Sequence, residues 1–276
     1  MTHDLRPKAI MAHIYSGAFT LGVSRVFDVL GQWEEGPWGA ATFKLNFPSV
    51  PHYLDRAAWP IASYTGKVQF LGVNPPCAIW SAAGSHLGIS DSRIIFQSNC
   101  IDLAKELRPD VFVLESVPRA WSPTGGRDYY TRYARELGEL GYQITVYLTN
   151  ALLVGGMQWR ERFHFIAHRN ELAIPEPLAT IADVPTVRDL IGDLEHLAVF
   201  KGEGEPKLPN HVVKRPGELY LNVLRNLAQG EGWEVGYARA LAQGLPARKH
   251  RFLAQRLRYD APAPTLADIG SLYHPA

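Results

Sequence analysis

Apolar positions along this chain gather into short continuous runs: Ala9–Tyr15, Val68–Val73, Val111–Leu114, Ile144–Leu148 and Phe163–Ala167. Runs of this length read as strands covered on both faces. Between them the spacing changes to the three-to-four-residue recurrence of helices, over Ile94–Leu107 and over Tyr129–Leu140, where Gly141 supplies a stop. Strands alternating with helices predict an α/β fold with a mainly parallel sheet, whose ligands bind outside the carboxyl ends of its strands. After about Asn170 the pattern loosens. Residues 171–185 are rich in proline and Lys201–Asn210 reads as loop. Two helical patterns follow, Glu218–Ala228 and Tyr237–Gln243, before a basic stretch over Arg248–Arg258. The chain therefore divides into a regular first part and a second, less regular lobe.

Composition narrows the class. With 46% hydrophobic and 20% charged residues and a formal net charge of +1, the chain has the profile of an ordinary globular protein. A nucleic-acid surface, if present, is local, and residues 201–260 carry a modest excess, 11 Lys and Arg against 6 Asp and Glu. Two cysteines, Cys77 and Cys100, are too few for a disulfide framework or a four-cysteine zinc site. The ten histidines show no metal-ligand spacing, so no catalytic metal is expected. No stretch approaches the ~20 apolar residues that cross a bilayer, and the first residues lack a cleavage pattern. The expectation is a cytoplasmic protein in a reducing compartment, where a thiolate survives.

Three short segments carry candidate chemistry. Asn74-Pro75-Pro76-Cys77-Ala78-Ile79-Trp80-Ser81 follows the strand VQFLGV. Two prolines stiffen the backbone and remove two amide donors, which holds the cysteine on a rigid loop at a strand end. The strand VFVL runs into Glu115-Ser116-Val117-Pro118, setting a carboxylate at a neighbouring strand end, where it could share a proton with a substrate ring nitrogen. Gln158-Trp159-Arg160-Glu161-Arg162 precedes the strand FHFIA. Alternation points Arg160 and Arg162 the same way, with guanidiniums suited to a carboxylate, a phosphate or a carbonyl oxygen. Alone, each segment is as well explained by a buried cysteine in a turn, a capping carboxylate or a surface ion pair. Cys100, within a helical pattern, reads as a core thiol, and Trp33, Trp38, Trp59, Trp80 and Trp121 read as packing residues, with Trp80 close enough to Cys77 to lie near a substrate.

Taken together and in order, the segments resemble the cytosine-5 DNA methyltransferase family, which carries a PPC loop, an E-N-V segment and Q-x-R-x-R before a strand. Further stretches agree: Asp91-Ser92-Arg93 with the helix and RPDVFVLES after it, WEEGPWGAATFKLNFP, ELGYQITVYLTNALLVGGMQWRERFHFIAH, and RYDAPAPTL towards the C-terminus. The resemblance spans roughly residues 9–170 and 256–275. It implies a Rossmann-like methyltransferase domain over 1–170, a target-recognition lobe over 171–255 and a return to the catalytic domain over 256–276. The implied activity is transfer of a methyl group from S-adenosyl-L-methionine to C5 of a cytosine flipped out of double-stranded DNA, as in restriction-modification systems of a bacterial or phage-infected cell. Cys77 would attack C6, Glu115 would hold or protonate N3, and Arg162, with Arg160, would bind O2 or organise Glu115. Pro75, Ser81 and Gln158 would contact the substrate. Tyr15, Ser16, Gly17, Ala18, Phe19, Glu34, Asp55 and Pro76 would line the cofactor site.

The resemblance breaks in four places. The family's F-x-G-x-G-G loop is here Tyr15-Ser16-Gly17-Ala18-Phe19, two residues shorter and without the central glycines. The acidic residue before it is His13, and the E-N-V asparagine is Ser116, a smaller group that would hold Glu115 more loosely. The His274-Pro275 segment leads in the family into a last helix lining the cofactor site, which this sequence does not contain. These departures leave three alternatives standing: a DNA-binding homologue without catalysis, a cytosine C5 modifier with an altered donor, and an RNA cytosine methyltransferase.

Overall fold

The structure, a computed structural model, describes residues 6–81, 87–169, 171–176, 183–194, 199–200, 204–205, 208, 212–213, 216–249, 254–265 and 272–273. Most of the expected loop Lys201–Asn210, part of the basic stretch Arg248–Arg258 and the closing His274–Ala276 lie outside them. The chain divides into two compact units, one of residues 1–149 and 161–177, the other of 150–160 and 178–276. The second unit thus takes in the segment just before Arg162 as well as the C-terminal third.

The first unit is built on a seven-stranded sheet. Its elements in chain order are β1 (Lys8–Ala12), α1 (Ala18–Val23), β2 (Asp28–Trp33), α2 (Pro37–Asn46), β3 (His52–Tyr53), β4 (Phe70–Val73), α3 (Ile94–Leu107), β5 (Val111–Ser116), α4 (Arg127–Gly138), β6 (Tyr142–Asn150) and β7 (Glu161–Arg169). The strand order is β3-β2-β1-β4-β5-β7-β6. β3, β2, β1, β4 and β5 are parallel and β7 runs antiparallel to β5. This is the α/β architecture that the alternating pattern predicts, a Rossmann-like sheet with its strand order reversing beside β1. Ligands of such sheets bind at that reversal.

The core follows the sequence pattern. Ile10, Ala12, Leu71, Val73, Phe112, Leu114, Phe163 and Phe165 are buried from the sheet, and Cys100, Ile101, Leu103, Ala104 and Leu107 from α3. Each large side chain fully removed from water contributes about 1.5–3 kcal/mol. In β5 the burial alternates strictly, with Phe112, Leu114 and Ser116 inward and Val111, Val113 and Glu115 on the less covered face. Helix α3 ends at Arg108, in the left-handed region at φ 52°, directly before Pro109. Helix α4 starts at Arg127 and ends at Gly138, so it stops before the expected Leu140, and Gly141 takes the positive φ of the following turn.

The second unit contains α5 (Val187–Ile191), α6 (Glu218–Arg225), α7 (Trp233–Ala242) and the two-residue pairs β8 (Val199–Phe200) with β9 (Val212–Val213) and β10 (Gln255–Arg256) with β11 (Leu272–Tyr273). Val223, Trp233 and Ala254 form its small core, flanked by Tyr220, Leu224 and Tyr237. Its short elements match the loose pattern of the sequence. Among the described residues no helix is long and apolar enough to cross a membrane.

Candidate active site

The double-proline loop begins where β4 ends. Val73 is registered against Ala12 on one side and Leu114 on the other, and the Asn74 amide donates to Ala12 O at 3.2 Å, the last bond of that ladder. Pro75 and Pro76 offer no amide to continue it, so the chain leaves the sheet and enters a single 3-10 turn, Cys77–Ile79. Cys77 is half-buried at the start of that turn. The turn is anchored from below. Ile79 and Trp80 are buried, and Trp80 packs on Tyr129 and Tyr130. Buried Gln97 of α3 donates to Pro76 O at 3.1 Å and accepts from the hydroxyl of buried Tyr130 at 2.7 Å. Trp80 is therefore a buried floor of the loop.

Glu115 lies at the end of the adjacent strand. Its Oε1 pairs with Arg162 Nε at 2.5 Å, with side-chain exposures of 20% and 16%. Its other oxygen, Oε2, accepts from Asn74 Nδ2, which also donates to Glu115 O at 3.2 Å. Arg162 is held in turn by its bond to Glu161 O at 2.7 Å. The antiparallel register sets His164 opposite Glu115. Burial, and secondarily the Arg162 charge, hold His164 below the ordinary imidazole pKa, and its Nε2 lies 2.8 Å from Thr149 Oγ1. The first unit thus brings together Asn74, Glu115 and Arg162 at the carboxyl ends of β4 and β5, with Cys77 three residues beyond Asn74.

In the second unit, Asn150 shapes the segment that carries Gln158 and Arg160. Its Oδ1 accepts from Leu152 N and Arg160 N, both at 3.1 Å, and the Ala151 amide donates to Arg160 O at 2.9 Å. Trp159 is fixed through its main chain, donating to Ala263 O at 2.7 Å and accepting from Thr265 Oγ1 at 2.6 Å. Exposure alternates along the segment: Met157, Trp159 and Glu161 are exposed, Gln158, Arg160 and Arg162 half-buried. Three described arginines of this unit are already matched to acids, Arg225 to Glu218, Arg239 to Glu231 and Arg258 to Asp260. Ser81 closes the Cys77 turn, its amide donating to Cys77 O at 3.0 Å.

The short loop between β1 and α1 has a conformation the sequence did not suggest. His13 and Tyr15 both take positive φ, 54° and 52°, and Gly17 follows at 94°. Left-handed geometry costs a residue with a side chain of the order of 1–2 kcal/mol, so something must hold it. The end of β2 does so. Glu34, only 8% exposed, accepts from Tyr15 N at 2.9 Å and Gly36 N at 2.7 Å, while Gln32 donates to Tyr15 O at 3.4 Å and accepts from Thr20 Oγ1 at 3.0 Å. Gly39 of α2 lies under the loop, and a Cβ there would stand 3.0 Å from Tyr15 Cα. At Gly17 a Cβ would meet Phe43 and Phe47 at 2.8 Å, so that glycine answers to α2. Phe19 turns into the core against Phe70. Asp55 caps a 3-10 turn by accepting from Ala57 N at 2.9 Å. Tyr15 itself is 56% exposed, and Trp38, expected to pack, is 79% exposed. Ser16, Gly17 and Ala18 line a cleft of about 270 Å³ with Leu21, Thr42, Asn46 and Phe47, which contains none of Cys77, Glu115 or Arg162. Cys100 is fully buried, and burial raises its thiol well above the ordinary range, as befits a core residue.

These features define a class before they define a family. The fold is that of Rossmann-like methyltransferases: it superposes with a TM-score of 0.69 on a prophage-encoded E. coli protein assigned as a DNA modification methyltransferase, 18% identical, over 98% of this chain and 84% of that one. The S. pombe Dnmt2 methyltransferase gives 0.50 at 14% identity, over 71% of this chain and 68% of that one. A family model described as C-5 cytosine-specific DNA methylase matches residues 13–226, and the chain belongs to that family. Among curated relatives, the type II methyltransferase M.MthTI of Methanothermobacter thermautotrophicus is 34% identical over 153 residues, 52% of this chain and 45% of the relative. M.NgoPII of Neisseria gonorrhoeae is 28% identical over 193 residues, 66% of this chain and 55% of the relative. The chain spans about half the length of these two relatives.

Asn74, Gln97, Asn150, Gln32 and Gly39 are the residues that sequence reasoning passed over. Each is polar or small, and its importance lies in a partner 10 to 41 positions away. Only for Asn74, beside the double proline, did the local text offer a signal.

Proposed function

We propose that the chain is a DNA (cytosine-5-)-methyltransferase that acts through a covalent adduct of Cys77 with a flipped-out cytosine. The observation that carries this reading is the doubly held Glu115 carboxylate, gripped by Arg162 and Asn74 at the strand end next to the Cys77 loop. Cytosine C5 is a weak nucleophile until a thiolate adds at C6, and addition there gives the ring enamine character. Cys77 supplies the thiolate from a loop that Pro75, Pro76 and the Gln97 bond keep in place. Glu115, oriented by Arg162, holds N3 as charge builds on the ring, and Arg160 and Gln158 contact the DNA. A base stacked in a duplex cannot reach Cys77, so the target leaves the helix at a cost of a few kcal/mol. The second unit is the recognition lobe, and its basic side chains that pair with no acid among the described residues, such as Arg248 and Lys249, meet phosphates.

The carboxyl ends of β1 and β2 suit S-adenosyl-L-methionine. Burial, then the charges of Glu34 and Asp55, raise the pKa of Glu35, the mark of an acidic edge that favours a ligand carrying net positive charge. Tyr15 offers an exposed ring, and each Glu34 oxygen keeps a second lone pair for a ribose hydroxyl. When bound, this cofactor supplies the electrophilic methyl group. The inward-turned Glu34 also favours a second reading, a DNA-binding homologue without methyl transfer, because its carboxylate is already engaged by the loop.

Trapping with a duplex of mixed sequence carrying 5-fluorocytosine tests the first reading. Wild-type protein with S-adenosyl-L-methionine should yield a denaturation-resistant adduct, and Cys77→Ala should yield none. An adduct that persists in Cys77→Ala would remove the nucleophile from the scheme. DNA binding without any adduct, and with no S-adenosyl-L-methionine binding by calorimetry, would favour the second reading.

A further inference from the structure

We propose that Asn74 is the positioning residue of Glu115, a carboxamide lent by the neighbouring strand that fixes the reacting carboxylate and the Cys77 loop in one register. The role rests on the methyltransferase reading above and extends it. The family pattern puts an asparagine directly after the glutamate, and here that position is Ser116, buried and on the opposite face of β5 from Glu115. Asn74 lies one strand over. Its Nδ2 donates to both the main-chain oxygen of Glu115, at 3.2 Å, and the Oε2 of its carboxylate. Its own amide closes the ladder to Ala12 at 3.2 Å. One half-buried side chain therefore spans the two strand ends that carry the proposed nucleophile and the proposed proton-sharing acid.

The chemistry requires an amide at this position. An NH2 group has two protons and serves two acceptors at once, which neither a hydroxyl nor a carboxylate does. With Arg162 on Oε1 and Asn74 on Oε2, both carboxylate oxygens have a fixed donor, and the group has one orientation. With Arg162 alone the carboxylate would retain rotational freedom, and N3 of a cytosine would meet it in the right geometry only part of the time. An aspartate at position 74 would set two carboxylates against each other. Asn74 touches no reacting atom in this scheme, so its effect passes through Glu115.

A double-mutant cycle on the full chain tests this. Single-turnover methyl transfer to unmethylated plasmid DNA of mixed sequence would be measured for wild type, Asn74→Ala, Glu115→Gln and the double variant. Loss of a hydrogen bond to a charged group should slow wild-type transfer roughly tenfold to a hundredfold. DNA and cofactor dissociation constants should change by less than about threefold, because Asn74 binds neither. In the Glu115→Gln background the Asn74 change should cost less than about threefold, since the group it positions is gone. Asn74→Asp keeps the shape and should lose at least as much as Asn74→Ala. It also carries the comparison if Asn74→Ala does not fold. Losses that multiply in the Glu115→Gln background, or full activity of Asn74→Asp, would overturn the role while leaving the methyltransferase reading intact. A wild-type chain that neither transfers methyl groups nor forms the 5-fluorocytosine adduct would overturn both.

Discussion

Arg162→Ala removes one partner from an ion pair whose side chains are 16% and 20% exposed and whose Nε–Oε1 distance is 2.5 Å. Breaking a fully buried pair costs about 3–5 kcal/mol, because the partner left behind is an uncompensated charge. Here Glu115 keeps its Asn74 donor and some contact with water, which brings the expected loss of folding free energy to about 2–3 kcal/mol. Glu115→Gln leaves Arg162 with its bond to Glu161 O and should cost about 1 kcal/mol. The double variant should be more stable than the sum of the two losses by about 1–2 kcal/mol, since neither charge is then stranded. Urea unfolding at pH 7.5, followed by tryptophan fluorescence and circular dichroism, measures all four species. Repetition at 0.5 M salt separates this pair from a surface one, because burial shields it from screening and the coupling should barely change. A coupling below about 0.5 kcal/mol, or one that disappears with salt, would mean that Glu115 is not held as the geometry indicates, and the site would lose its central feature.

Two further perturbations probe the proposed cofactor edge. Gly39→Ala drives a Cβ to 2.7 Å from the Tyr15 ring and 3.0 Å from its backbone. It should cost about 1–3 kcal/mol and weaken S-adenosyl-L-methionine binding about tenfold by calorimetry, whereas Gly22→Ala, with nothing within 4 Å, should leave both unharmed. His13, packed on Trp33 and Phe96, has its pKa lowered by burial to about 4. A depressed imidazole costs nothing above its unfolded pKa near 6.5, where both states are neutral. As the pH falls towards 4 the unfolded chain takes up the proton first, and stability should drop by about 3 kcal/mol across that window. The urea midpoint of His13→Phe should fall less between pH 7.5 and 4.5 than that of wild type, and equal slopes would refute the assignment.

Elements with many apolar residues in register were legible from the sequence. Helix α3 matches its expected span, and β4, β5 and β7 lie where continuous apolar runs indicated, because a run of strand length rich in β-branched and aromatic residues favours a strand. Cys77 and Glu115 were legible as strand-end residues for the same reason. The alternation of Arg160 and Arg162 appears in their exposures, yet only the three-dimensional structure reveals that Arg162 meets Glu115. The second unit was legible as irregular but not in its limits, since nothing in the local text ties residues 150–160 to the C-terminal third. The left-handed loop at His13 and Tyr15 left no trace in the sequence. Its conformation comes from Glu34, Gln32 and Gly39, brought in by β2 and α2, so it is a tertiary property.

That loop also changes how the lost glycines should be understood. In a phosphate- or nucleotide-type loop, glycines let the backbone turn left-handed and come close to a ligand. Here left-handed turns remain, but two of them fall on His13 and Tyr15, and the strain at Tyr15 is offset by side chains on both of its main-chain polar groups. A loop two residues shorter has fewer conformations to choose from, and each hydrogen bond from β2 removes more of those that are left. The glycine loop obtains its shape from intrinsic backbone freedom, whereas this one obtains it from its neighbours. The consequence is specific. Glu34 becomes part of the frame, and losing it should release the loop as well as any ribose contact. Glu34→Gln keeps only one acceptor oxygen for two amides, so the proposed cofactor edge depends on that carboxylate more than the sequence pattern alone would suggest.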